Sequence, residues 1–133
     1  MYKIPDEGVV TTPSQSICWL EDGILFGVAA DKLYLEIEEA RKMTEAFKKL
    51  SNKPLPVFVD LATSAGQTPE TRKYFATDPA HLSTYNACAL YVSTPVARVI
   101  ANIYMGLMKP SRPTRLFTEY DDAIDWLNQF KEG

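Results

Sequence analysis

Few residues in this chain have the chemistry to do more than hold a fold. Asp60 closes the apolar run Val57-Phe58-Val59-Asp60, and hydroxyls follow it at Thr63, Ser64 and Thr68. Small residues, Ala62, Ala65 and Gly66, lie between them. Such a loop lets an anion approach the main-chain donors of a following helix, or offers a hydroxyl for phosphorylation. The plainer reading is a surface loop whose Thr68 caps a helix with Pro69 at its first position. His81 is the single histidine and is expected in a loop. Catalysis by Asp60, Ser64 and His81 would require the three to converge within hydrogen-bond reach. No P-loop, Gly-rich dinucleotide turn, nucleophile elbow or metal-ligand spacing is present, so no metal or cofactor is expected and an enzyme ranks last among the readings.

A second set is basic. Residues 79–118 contain no Asp or Glu, yet carry Arg98, Lys109, Arg112 and Arg115 beside His81. If they converge, these cations suit a phosphate or an acidic partner. The alternative is pairing with the acidic residues at 119–125, or plain solvation. Asp121, Asp122 and Asp125 themselves read as a solvated helix face.

A third feature is apolar. Ten of the thirteen residues from 96 to 108 are apolar, and only Arg98, Asn102 and Gly106 interrupt, each four after the last. A helix here could turn Val96, Val99, Ile100, Ile103 and Leu107 to a sheet. Ala97, Ala101, Tyr104, Met105 and Met108 are then left for another surface. Self-association, a protein partner, a small apolar ligand and ordinary burial are the alternatives.

The elements that must position these residues alternate. Ser16-Ile17-Cys18-Trp19-Leu20 and Ile24-Leu25-Phe26-Gly27-Val28 flank Asp22-Gly23, a two-residue hairpin signal. Gly8-Val9-Val10-Thr11-Thr12 suggests a short edge strand before them. Ile37, Ala40, Met43, Phe47 and Leu50 recur at helical spacing, predicting a helix over 35–51. A buried strand at 56–60, a helix at 69–77 broken by Asp78-Pro79, and a strand at 86–92 follow. Thr94-Pro95 opens a third helix, and a short strand leads to a last helix over 119–131 with Thr118 to Asp121 as a capping box. The pattern predicts an α/β fold. A mixed sheet of about four to five strands begins with an antiparallel hairpin and continues as βαβαβα, with about four helices in one domain, 1–133.

The chain has 133 residues, 46% apolar and 23% charged, with a net charge of −3. That composition fits a globular domain and gives no reason to expect nucleic acid as a partner. Cys18 and Cys88 lie in apolar strand-like runs and read as reduced core residues. No run approaches the length of a membrane span and no signal-peptide core is seen at the start, so a cytoplasmic protein is expected.

The element order resembles that of STAS domains, the fold of bacterial anti-sigma-factor antagonists, within a broader class that includes the lipid-binding CRAL-TRIO domains. The region from about residue 54 onward is similar to an uncharacterised bacterial STAS-like family. Four segments carry this resemblance. They are Val57-Phe58-Val59-Asp60-Leu61, the stretch from Cys88 through Ser93-Thr94-Pro95 to Asn102, Lys109-Pro110-Ser111-Arg112-Pro113-Thr114-Arg115-Leu116-Phe117-Thr118, and Asp122-Ala123-Ile124-Asp125-Trp126-Leu127. A non-enzymatic STAS-like regulatory module working through protein contacts is the first reading, and the apolar surplus of 96–108 leads to the expectation of a homodimer. A carrier of a small apolar ligand is the alternative. In anti-sigma-factor antagonists a Ser or Thr at the start of the second helix is phosphorylated within a motif like Asp-Ser-Ser-Gly. Here Asp60 is followed by Leu61-Ala62-Thr63-Ser64-Ala65-Gly66, which sets the hydroxyls further along a longer loop.

Overall fold

The structure is a computed structural model, and it describes residues 1–94 and 111–131. Six strands form the main sheet, in the order β1-β2-β3-β5-β7-β8. They are β1 (Val10–Thr11), β2 (Ile17–Glu21), β3 (Ile24–Val28), β5 (Leu55–Asp60), β7 (Tyr85–Tyr91) and β8 (Thr114–Phe117). The β1–β2 and β2–β3 pairs are antiparallel, and β3, β5, β7 and β8 run parallel. A parallel ribbon of β4 (Tyr34–Leu35) and β6 (Gly66–Gln67) stands apart from this sheet. The described helices are α1 (Ile37–Leu50), α2 (Pro69–Thr77), α3 (Pro79–Leu82) and α4 (Tyr120–Asn128). The predicted α/β architecture is present: β1 falls within the short edge strand expected at 8–12, and the strands beyond those expected, β4 and β6, are two-residue pairings. So short a pairing leaves no periodicity to read.

Asp22 (φ 50°) and Gly23 (φ 77°) both take the left-handed conformation that a tight hairpin between twisted strands requires. The hairpin brings Trp19 opposite Phe26, with their rings stacked 5.0 Å apart. Strand β5 lies between β3 and β7 and buries both faces. Val57 packs in a cluster with Ala46 and Phe47 of α1, Cys18 and Cys88. Phe58 packs on the opposite face with Ala123 and Leu127 of α4. A fully buried side chain of this size contributes roughly 2–3 kcal/mol. Pro56 sits inside this central strand at the cost of a register irregularity beside Leu55, since proline has no N–H to donate.

Helix α1 buries Ala40, Met43 and Phe47 as its spacing predicts, and also Glu39 and Thr44. Glu39 is reached by Thr12, whose hydroxyl donates to its carboxylate over 2.5 Å and accepts from the Ser16 N–H. Two local expectations are corrected. Asp78-Pro79 ends α2 but also opens α3, with the Asp78 carboxylate accepting from the His81 N–H. No capping box forms at 118–121: Glu119 is the N-cap of α4, without a side-chain cap bond. The third helix predicted after Thr94-Pro95 lies outside the described residues.

Candidate functional site

Strands β3, β5, β7 and β8 end on one edge, and Asp60 is the last residue of β5. Main-chain bonds bind the strand ends together: Ala29 N–H to the Asp60 carbonyl, Leu61 N–H to Tyr91, and Val92 N–H to Phe117. The Asp60 carboxyl group is 9% exposed as part of its residue and has two donors. Oδ1 accepts from the Ala62 N–H (2.8 Å) and Oδ2 accepts from the Tyr2 hydroxyl. Burial first, and the Asp60 carboxylate second, push the Tyr2 phenol well above its usual value.

Loop 61–68 is tied to the segment after β3. Lys32 N–H donates to the Thr63 carbonyl, Ala65 N–H to Leu33, and Thr68 N–H to Leu35. The Ser64 hydroxyl donates to the Leu33 carbonyl (3.3 Å) and accepts from the Gly66 N–H. Thr68 caps α2, accepting from the Thr71 N–H (3.0 Å), as the Thr68-Pro69 pair predicted. Thr63 is left with its side chain exposed. An anion at the start of α2 would meet Glu70 in the first turn, and like charges there oppose binding.

The basic set divides. Arg98 and Lys109 lie outside the described residues, as do Ala97, Ala101, Tyr104, Met105 and Met108. Arg112 donates through Nε to the Tyr85 carbonyl (3.3 Å) at the start of β7. The Arg115 guanidinium lies over the rings of Phe117 and Trp126, 5.3 and 5.8 Å from their centres. The two arginines thus engage different partners. The ion pairs among the described residues are Glu38–Arg41 and Lys42–Glu45, both within α1. Asp121, Asp122 and Asp125 are exposed on α4.

His81 lies in α3 rather than in a loop, and it is buried. Its Nδ1 is 3.0 Å from the Thr44 hydroxyl, which also accepts from the Tyr74 hydroxyl over 2.9 Å. Phe75, Tyr74 and Tyr85 surround the imidazole with ring centres 4.8 to 5.8 Å away. The signal was present in the sequence, since an Asp followed by Pro is a helix start as well as a break. Asp60, Ser64 and His81 each hold different partners, and no bond joins one of them to another.

Between α1 and α2 runs an open groove of about 330 Å³, lined among others by Arg41, Glu70, Lys73, Tyr74 and Asp78. It is open to solvent and carries the charged side chains of Arg41, Glu70, Lys73 and Asp78, which suits an enclosed small apolar molecule poorly. Among the described residues no cluster of His, Cys, Asp or Glu could hold a metal ion, and no helix is long and apolar enough to cross a membrane.

A family model described as a domain of unknown function, DUF7793, matches residues 18–131. The chain belongs to the DUF7793 family. The match takes in the sheet from β2 onward and all the described helices, while residues 1–17, with Tyr2 and Thr12, precede it. This DUF7793 domain is similar in structure to an uncharacterised protein of the DUF3478 family from Shewanella loihica PV-4, described as having a SpoIIAA-like fold. The TM-score is 0.58 at 14% identity, over 96% of this chain and 99% of that one. The fold is therefore SpoIIAA-like, that is, STAS-like. A protein of unknown function from Arthrobacter sp. FB24 is 24% identical over 91% of this chain and 98% of that one, with a TM-score of 0.29. No curated protein matches the chain.

Proposed function

We infer that this DUF7793 domain is a non-enzymatic regulatory module that works through protein–protein contacts, as a homodimer joined by residues 96–108. One observation carries the reading. The ten apolar residues of 96–108 belong to a chain whose central strand already has α1 over one face and α4 over the other. Apolar surface beyond what a sheet can bury is used at contacts between proteins. The engagement of Asp60, Ser64 and His81 in bonds that hold the fold supports the same reading. Thr63 is the hydroxyl of loop 61–68 that a partner kinase would reach. Localisation in the cytoplasm accompanies this proposal.

The test is sedimentation of the purified chain. The wild type should run as a dimer. Tyr104→Asp with Met105→Glu should run as a monomer with unchanged circular dichroism. A wild type that stays monomeric at high concentration overturns the homodimer.

A further inference from the structure

Residues 1–9 lie on the α4 side of the sheet, and Tyr2 anchors them. Its ring centre is 5.6 Å from Trp19, 6.2 Å from Phe26, 5.7 Å from Phe58 and 5.8 Å from Tyr120. Those rings come from β2, β3, β5 and α4, so the recess is built by the core of the fold. Its polar end is Asp60, which the Ala62 N–H holds in place independently of Tyr2. Trp19 Nε1, also in this cluster, is buried without a hydrogen-bond partner.

The segment itself is lightly held. Among the described residues, the Tyr2 hydroxyl makes the one hydrogen bond of residues 1–9. Ladder pairing to β2 begins only at Val10. Between the two stands Gly8, at φ 75° with open space around it, a position suited to a hinge. Met1, Lys3, Ile4, Asp6 and Glu7 are exposed, so departure of the segment removes the contacts of Tyr2 and, beside them, those of the half-buried Pro5 and Val9.

We propose that Trp19, Phe26, Phe58, Tyr120 and Asp60 form a tyrosine-recognition site, filled in cis by Tyr2, from which a tyrosine-bearing peptide of a partner protein displaces residues 1–9. The resident segment defines the ligand: a planar ring tilted or edge-on to its neighbours, ending in one hydroxyl donor aimed at a carboxylate. Offset and edge contacts favour an aromatic side chain, and the charged acceptor distinguishes tyrosine from phenylalanine. Peptide binding at this site and dimerisation are read by different measurements, so the two proposals stand or fall separately.

The full chain carrying Tyr2→Ala empties the site and leaves its walls intact. Titration calorimetry with a synthetic peptide of residues 1–9 should show saturable binding to this variant. The same peptide with Phe in place of Tyr2 should bind about tenfold more weakly or worse, the loss expected for a hydrogen bond to a charged group. Asp60→Asn in the same background should shrink that preference. Equal binding of the Tyr, Phe and Ala peptides, or no binding to a folded Tyr2→Ala chain, overturns the proposal. Should Tyr2→Ala fail to fold, wild-type chain with ¹³C-labelled tyrosine decides. Tyr2 ring resonances should move toward free-chain values as unlabelled peptide is added, and resonances unmoved by a large excess overturn the idea.

Discussion

The His81 imidazole and the Thr44 hydroxyl meet 3.0 Å apart, joining the short helix α3 to α1 across 37 positions of sequence. Thr44 also donates to the Ala40 carbonyl one turn back and accepts from Tyr74. Helices α1, α2 and α3 thus share one buried polar junction.

Stability should fall in mild acid because of His81. Burial, opposed by Asp78, lowers its pKa from 6.5 to about 4. The unfolded chain therefore binds more protons between these values, and stability is full above 6.5 and lost as pH falls toward 4. The loss approaches about 3 kcal/mol. Urea midpoints measured across this range should show it, and His81→Leu should flatten the slope relative to wild type. A parallel slope in the variant would assign the effect to carboxylates instead.

Thr12→Val should cost about 1–3 kcal/mol, because it strips the donor from a carboxylate that is 6% exposed as part of Glu39. The double variant Thr12→Val with Glu39→Met should cost less than the sum of the single ones, since replacing both partners leaves no orphaned charge. Thermal unfolding of the four proteins in the cycle checks this.

Gly27→Ala should destabilise by about 1–3 kcal/mol through overpacking. A Cβ at Gly27 would stand 3.0 Å from Cζ of Phe47, in the cluster between α1 and the sheet. Phe47→Leu in the Gly27→Ala background should recover part of the loss. A Gly27→Ala chain with wild-type stability would mean that α1 shifts freely on the sheet.

Cys18 and Cys88 are free, and burial pushes both thiols up to about 12, with Glu39 adding to the effect at Cys18. Neither should react with iodoacetamide at neutral pH in the folded chain, and both should react once urea unfolds it. Intact-mass measurement reads the outcome directly, and rapid labelling of native protein would contradict the burial.

The backbone plan was legible because its signals are local. Asp22-Gly23 specifies a hairpin within two residues, Thr68-Pro69 a helix start, and the run through Val57 and Phe58 a strand covered on both faces. The element order and the segments around Asp60, Thr94-Pro95, Arg112-Pro113 and Trp126 resemble STAS-like chains, and the fold is STAS-like. The same reasoning failed at 118–121, where Thr118 and Glu119 fit a capping box but Glu119 took the cap position without a side-chain bond. It failed again at Asp78-Pro79, where a break and a start share one spelling.

What the sequence by itself determined, among the described residues, is the longer strands and helices and the core they share, since these follow from periodicity and backbone preference over a few neighbours. What only the tertiary structure decided is which polar groups meet: Tyr2 with Asp60 across 58 positions, Thr12 with Glu39 across 27, and Thr44 with His81 across 37. The physical reason is that a polar side chain in a strand or helix is costly to bury until a partner arrives. The partner is supplied by the way the crossovers stack helices and terminal segments on the sheet, a relation that no window of neighbouring residues contains.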